Sequence, residues 1–177
     1  VTTEYFDPTI DPEALEARVT DATRVLFLEA PGSLTFEISD IPALAEVAHR
    51  HGVTVMADNT WATPLYFKAF DHGVDISIHA ATKYLVGHAD AMLGVINCNE
   101  AHYMNVRKTA AGMGYCAGPD DIYLGLRGLR TLGQRLPTHQ ANGIALAEWL
   151  AAQPQVARGI HPARADHPQH ALFARDF

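Results

Sequence analysis

Two short apolar runs, each preceded by a glycine, constrain the fold of this chain more than any other feature. Residues 53–58 (VTVMAD) follow Gly52 and residues 74–79 (VDISIH) follow Gly73, and both are rich in the β-branched residues typical of strands. Between them, residues 64–70 (PLYFKAF) have apolar residues at helical spacing. A strand, a crossover helix and a second strand form a right-handed parallel unit, so both strands should end at one edge of a sheet.

An earlier strand and helix extend this pattern toward the N-terminus. Residues 24–29 (RVLFLE) indicate a buried strand, and residues 39–51 indicate a helix that Ser39 or Asp40 would cap, with Pro42 in its first turn. The order β-α-β-α-β predicts an α/β fold with a mostly parallel, doubly wound sheet flanked by helices.

The second half of the chain is predicted to be mainly helical. A strand over residues 91–98 should precede a helix over 100–111, and the glycine-rich residues 112–118 should connect two helices, since they lack the strand-to-helix setting of a dinucleotide loop. A long helix should start at Asp120. We expect Pro137 to kink or end this helix, a second helical stretch to cover 141–152, and a strand to begin in 156–162.

Composition and charge exclude several classes of protein. The net charge of −7 and the absence of a Lys/Arg-rich run predict no nucleic-acid partner. No apolar stretch approaches the ~20 residues of a membrane span, and residues 1–7 lack the features of a leader, so we expect no membrane partner and a cytoplasmic protein. The spacing of the cysteines and histidines matches no metal site, so no metal is predicted.

Two residues of opposite charge are predicted to lie at the carboxyl edge of the sheet. Asp58 ends one strand, and Lys83 follows the next strand in the segment AATKYLVGH. Ligands of open α/β sheets bind at this edge. An amine and a carboxylate placed there could contact opposite ends of one planar cofactor that carries an aldehyde.

Three ordered motifs give the chain a family resemblance. Residues 57–64 (ADNTWATP), 81–90 (ATKYLVGHAD) and 127–136 (RGLRTLGQRL), together with 29–35 (EAPGSLT), resemble the cysteine/methionine-metabolism family of pyridoxal-phosphate enzymes, and within it the bacterial cystathionine β-lyases. The resemblance covers essentially the whole chain. It implies the large domain of fold type I (aspartate aminotransferase-like), pyridoxal 5'-phosphate as cofactor, a small amino-acid substrate and a homo-oligomer, which is a tetramer in relatives.

The resemblance implies a role for each residue of the charged pair. Lys83 would form the Schiff base with the cofactor aldehyde and then act as the catalytic base, which requires a deprotonated amine. Asp58 would pair with the pyridine nitrogen and keep it protonated, so that the ring can accept electrons. Without the resemblance, Lys83 would be a solvated surface lysine, and Asp58 could equally cap the next helix.

Two further cofactor-binding residues follow from the same resemblance. Thr82 matches the position whose hydroxyl contacts the cofactor phosphate, and Ser33 matches a turn residue that approaches the ring hydroxyl. Each could instead bond only to nearby backbone. Ala80 stands where much of the family has a serine that binds phosphate, so a backbone amide or another loop would have to supply that donor.

The implied reaction is the α,β-elimination of L-cystathionine to homocysteine, pyruvate and ammonia. A γ-lyase or γ-synthase of the same family remains an alternative, because Trp61 and the pair Ala80-Ala81 favour the β-lyase only by likeness. We also expect a partial cofactor-binding domain over 1–153 and the start of a truncated C-terminal domain over 154–177. A catalytically silent scaffold is therefore an alternative of another class.

Overall fold

A four-stranded, mostly parallel sheet organises the protein, for which a computed structural model describes residues 1–177. The strands lie side by side in chain order: β1 (Val25–Glu29), β2 (Thr54–Asp58), β3 (Ile76–Ala80) and β4 (Gly94–Cys98). β1, β2 and β3 pair in parallel, and β4 runs antiparallel to β3. The predicted α/β class with a mostly parallel sheet is confirmed.

Six helices and one 3₁₀ turn accompany the sheet. They are α1 (Pro12–Glu16), α2 (Ile41–Arg50), α3 (Thr63–Tyr66), the 3₁₀ turn Ala69–His72, α4 (Glu100–Gly112), α5 (Pro119–Ala151) and α6 (His170–Asp176). None of these helices combines the length and apolar character needed to cross a bilayer.

Helix α2 buries one face of the sheet, as its sequence predicted. The Asp40 side chain accepts a hydrogen bond from the backbone N–H of Ala43 at 3.3 Å, which caps the helix. Leu44 is fully buried in the main core, together with apolar residues of β1 and β2. On the opposite face of the sheet, Val25 and Phe27 remain 48% and 52% exposed, as the two-residue alternation of a strand requires.

The crossover between β2 and β3 is helical only in part. The stretch predicted over 64–70 divides into α3 and the 3₁₀ turn, with Phe67 and Lys68 between them. The Asn59 side-chain amide donates to the carbonyl of Phe67 at 2.9 Å, so this carbonyl is satisfied without a continuous helix.

The prediction that Pro137 would end the long helix was wrong, whereas a kink at this proline stays a prediction. Helix α5 runs without interruption from Pro119 to Ala151 and contains the proline. Leu132 and Leu136 are buried and anchor this part of the helix. The proline ring would crowd the carbonyl of Gly133, but nothing lies within 4 Å of the place a Gly133 Cβ would take, so the backbone has room to adjust.

The strand predicted to begin in 156–162 is also absent. These residues form turns and irregular backbone. Gly159 packs against α5, where an added Cβ would lie 3.3 Å from the Ala151 Cβ, so the segment lies along a helix and has no strand partner. Helix α6 then returns to the main core, where Phe177 stacks on Phe67 at 4.8 Å between ring centroids. A domain division at residue 154 stays a prediction.

Candidate active site

Asp58 lies at the carboxyl end of β2, on the face of the sheet opposite α2. It pairs with Glu29 of β1 and Ile78 of β3, and its side chain is half-buried. One carboxylate oxygen, Oδ1, accepts a hydrogen bond from the backbone N–H of Thr60 at 2.9 Å. This bond orients the carboxylate and leaves its second oxygen available to another donor.

Lys83 lies in a series of turns, residues 81–86, that follows β3 directly. Its backbone N–H donates to the carbonyl of Ala80 at 3.0 Å, and its own carbonyl accepts from Gly87 at 2.8 Å. The Val86 N–H donates to the carbonyl of Ala81 at 2.8 Å, near the other end of the segment. A hydrogen-bonded turn therefore presents an exposed lysine side chain just beyond the strand end.

Thr60 connects the segments that carry these two residues, and sequence reasoning missed it. Its backbone N–H holds the carboxylate of Asp58, while its buried hydroxyl accepts from the backbone N–H of Ala80 at 2.8 Å. The neighbouring Asn59 N–H donates to the carbonyl of Ile78 at 2.8 Å. Hydrogen bonding between the two segments thus continues past the end of β2, up to the last residue of β3. A threonine two residues after the aspartate was the only local signal for this link.

Thr82 lies at the same edge and bonds to backbone across the turn. Its hydroxyl accepts from the N–H of Leu93 at 2.9 Å and donates to the carbonyl of Leu93 at 3.3 Å. The second bond is long, so its proton could be redirected to an incoming anion while the first bond still orients the oxygen.

The backbone amides near Lys83 are already engaged. The N–H groups of residues 80–83 donate, in order, to the Thr60 hydroxyl and to the carbonyls of His79, Leu93 and Ala80. The phosphate donor that would replace the family serine at Ala80 must therefore come from another segment.

Ser33 follows β1 near the same edge, where its side chain is exposed. Its hydroxyl donates to Oε1 of Glu29 at 2.6 Å. Because a hydroxyl has a single proton, Ser33 would have to accept from a cofactor hydroxyl rather than donate to it while this bond persists. Its role as a cofactor contact stays a prediction.

His79, which sequence analysis left without a role, lies on the other face of the sheet. Its side chain is buried, with Nε2 3.1 Å from the Ser77 hydroxyl. Burial lowers the pKa of the His79 ring, although the Asn59 backbone and the charge of Asp58 act in the opposite direction. The ring is therefore a packed, neutral group in the sheet at pH 7.

The residues at this edge fit pyridoxal phosphate in their chemistry. An exposed primary amine can condense with an aldehyde, and a half-buried carboxylate with a spare oxygen can accept from a protonated ring nitrogen. The Thr82 hydroxyl adds a donor for an anion. Lys83, Asp58 and Thr82 come from segments joined by the β2–β3 pairing, as predicted, so they belong to one edge of the sheet.

Comparisons with known proteins identify the relatives of this chain. It is 49% identical to a putative cystathionine β-lyase of Rhizobium johnstonii, over 100% of the chain and 44% of that protein. It is 45% identical to the cystathionine β-lyase MetC of Escherichia coli, over 100% of the chain and 45% of that protein. The chain thus spans less than half the length of these relatives.

Relatives with other activities also match. The L-methionine γ-lyase of Pseudomonas putida is 40% identical over 92% of this chain and 41% of that protein. The L-alanine/L-glutamate racemase of Wolbachia pipientis is 38% identical over 98% of this chain and 42% of that protein. Overall sequence likeness therefore does not select one reaction.

A solved structure supports the fold, and a family model supports the cofactor. The crystal structure of cystathionine γ-lyase from Lactobacillus plantarum, complexed with L-serine, superposes with a TM-score of 0.94 at 30% identity, over 98% of this chain and 45% of that chain. This likeness confirms the predicted fold type I. The match of residues 1–177 to the model of a PLP-dependent enzyme family confirms pyridoxal phosphate as the cofactor. The chain belongs to the Cys/Met metabolism PLP-dependent enzyme family.

Proposed function

We propose that this chain is the cofactor-binding part of a carbon–sulfur lyase that acts on L-cystathionine. The overall reaction uses one water and yields homocysteine, pyruvate and ammonia. The observation that carries the proposal is the joining of the Asp58 and Lys83 segments at one edge of the sheet, through the hydroxyl and amide of Thr60. Bound pyridoxal phosphate would supply an electron-accepting ring conjugated to the substrate Cα.

Lys83 is proposed to hold the cofactor covalently and then to move a proton. Because its side chain is exposed, a substrate amine would be able to take its place on the cofactor and free the lysine amine. The released neutral amine would take the Cα proton as a general base, and the same group, now protonated, would give a proton to the leaving sulfur as the bond between Cβ and sulfur breaks.

Asp58 is proposed to accept a hydrogen bond from the ring nitrogen through its free oxygen, with the Thr60 N–H fixing the other oxygen at 2.9 Å. A carboxylate keeps that nitrogen protonated, whereas an amide would not. We expect Asp58→Asn to lower kcat by about 10²–10³-fold, the cost of removing one preorganised electrostatic partner. Asp71→Asn, at an exposed carboxylate, is the matched control and should leave kcat unchanged.

Thr82 and Ser33 are proposed as weaker contacts to the cofactor. Thr82 would donate to the phosphate by turning its proton away from Leu93, and Ser33 would accept from the ring hydroxyl. Thr82→Val should weaken cofactor affinity, whereas Thr82→Ser should keep most of it, as measured by the change in absorbance when pyridoxal phosphate is added.

The β-elimination is favoured by the two relatives of 49% and 45% identity, whose names specify cystathionine β-lyase. The test is to incubate the full-length protein and pyridoxal phosphate with L-cystathionine and to measure pyruvate and 2-oxobutyrate. Pyruvate as the main product, lost in Lys83→Ala, is the expected result. A predominance of 2-oxobutyrate would identify a γ-lyase, and cofactor binding without either product would identify a silent scaffold or an enzyme of another class.

We also propose that the protein forms a homo-oligomer. Ile122, Leu126 and Leu129 on α5 are 46%, 55% and 50% exposed, and such apolar side chains are commonly covered by a second subunit. Sedimentation of the full-length protein should give a mass of at least two subunits, and a monomer would contradict this part of the proposal.

A further inference from the structure

Helix α5 touches the turn that carries Lys83 at a position where only glycine fits. A Cβ added to Gly128 would overlap the backbone carbonyl oxygens of Leu85 and Val86. Leu85 itself is buried against Leu132 and Leu136 of the same helix. The turn and α5 are thus in direct backbone contact, and a side chain at Gly128 would push them apart.

Arg135 binds the same turn through its guanidinium. Its Nη2 donates to the carbonyls of Tyr84 at 2.8 Å and Leu85 at 3.4 Å, and also to the carbonyl of Gly128 at 2.9 Å. Its Nε donates to the Thr131 hydroxyl at 3.0 Å, which fixes the plane of the group. One cation therefore joins the backbone of α5 to the two residues that directly follow Lys83.

Gly87 completes the contact from the other side of the turn. It has a φ of +79°, which favours glycine, and a Cβ at this position would overlap the Arg135 guanidinium. The glycine leaves room for the charged group to reach the carbonyls. The sequence motifs around Lys83 and in α5 thus meet in space through Gly87, Gly128 and Arg135.

We propose that Arg135 is a positioning residue for Lys83, a role that rests on the proposed function. Charge-assisted hydrogen bonds are stronger than neutral ones, and the planar guanidinium fixes direction as well as distance. A misplacement of about 1 Å can cost about 10²-fold in rate at a reacting group. By holding the carbonyls of Tyr84 and Leu85, Arg135 sets where the Lys83 amine meets the cofactor aldehyde.

Variants of α5 can separate this role from simple stabilisation. Arg135→Met keeps an unbranched apolar stem but removes every donor, while Leu132 and Leu136 still anchor the helix. Arg135→Lys keeps the charge on one nitrogen and cannot reproduce the planar set of bonds. Arg130→Met removes an exposed arginine from the same helix and is the matched control.

The experiment follows covalent attachment of pyridoxal phosphate in the full-length protein. Apoprotein is mixed with saturating cofactor, samples are reduced with borohydride at intervals, and peptide mass mapping gives the fraction of Lys83 that carries the cofactor. We expect Arg135→Met to slow attachment at least about 10-fold, Arg135→Lys to be intermediate, and Arg130→Met to match the wild type. Thermal unfolding of each variant is recorded in parallel.

The outcomes separate this inference from the proposed function. If Arg135→Met attaches the cofactor at the wild-type rate while its Tm falls, Arg135 is only structural and the inference is overturned. Should Arg135→Met not fold, a wild-type attachment rate in Arg135→Lys would overturn the inference equally. If wild-type Lys83 itself takes up no cofactor, the proposed function fails first and the positioning role fails with it.

Discussion

Two regions of unequal packing hold the two main residues of the site. Asp58 ends a strand in the region around α2, where sixteen buried residues form one apolar cluster. Lys83 lies in a turn supported by a cluster of only four buried residues, from the turn itself and α5. The carboxylate is therefore fixed by an extensive core, whereas the amine depends on a small cluster and the polar contacts of Arg135.

The largest expected effect tests the large core. Leu44 is fully buried in the sixteen-residue cluster, so Leu44→Ala removes well-packed methyl groups and leaves a cavity. We expect a loss of about 2–5 kcal/mol in the free energy of unfolding, measured by urea denaturation. Leu34→Ala, at a leucine that is 90% exposed, is the control and should change stability by less than about 0.5 kcal/mol.

A smaller effect is expected from the same change in the small cluster. Leu132 packs with Leu85 and Ala81 of the turn, and the turn can collapse partly into the space that Leu132→Ala leaves. The loss in the free energy of unfolding should be about 2 kcal/mol, near the lower end of the range for buried leucine-to-alanine substitutions. Amide exchange of Val86 and Gly87 should accelerate more than exchange in β2. Equal acceleration in both places would mean that the two regions open as one unit.

A third prediction concerns a polar link at the amino edge of the sheet, which joins the region around α2 to the start of α4. Asp75 is largely buried, and its carboxylate accepts from the Val55 N–H at 2.9 Å and from the Asn99 side chain at 2.8 Å. The His49 ring lies 3.0 Å away. Burial opposes ionisation, but the Val55 N–H, the His49 ring and the charge of His102 outweigh it and hold the pKa of Asp75 below its usual range.

The pH dependence of this link follows from the direction of that shift. A carboxyl whose pKa is lower in the folded state adds stability above its unfolded pKa of about 3.9, and this stability is lost as the pH falls through the folded pKa. Asp75→Asn should lower the free energy of unfolding by about 1–3 kcal/mol at pH 7. The NH₂ group of the asparagine would face a hydrogen-bond donor and could not accept from it. The difference in the free energy of unfolding between Asp75→Asn and the wild type should shrink toward pH 3. A difference that does not change with pH would contradict an effect of the Asp75 charge.

The sequence predicted the elements that depend on local signals. The strands at Val25–Glu29, Thr54–Asp58 and Ile76–Ala80 start within two residues of their predicted positions, because each is a short apolar run and a glycine precedes the second and third. Helix α2 was found through its Asp40 cap and its apolar face. The placement of Asp58 and Lys83 at one edge followed from the parallel order of these strands.

Features that depend on distant contacts were missed. Helix α5 continues through Pro137 because Leu132 and Leu136 pack in a buried cluster. Gly159 contacts the end of α5 and is not part of a strand. Arg135 reaches Tyr84 from a distant helix, a contact that no local pattern reveals. Trp61, which favoured the β-lyase only by likeness, packs edge-on against Phe173 of α6 at 6.1 Å between ring centroids.

The most direct test of the account is to find which lysine carries the cofactor. Full-length protein saturated with pyridoxal phosphate is reduced with borohydride, digested and mapped by mass spectrometry, with Lys83→Ala as control. The other lysines of this chain are Lys68 and Lys108, both exposed. We predict the added mass on Lys83 alone and its loss in Lys83→Ala. Labelling of Lys68 or Lys108 instead, or equal labelling of the variant, would contradict the assignment of this edge as the active site.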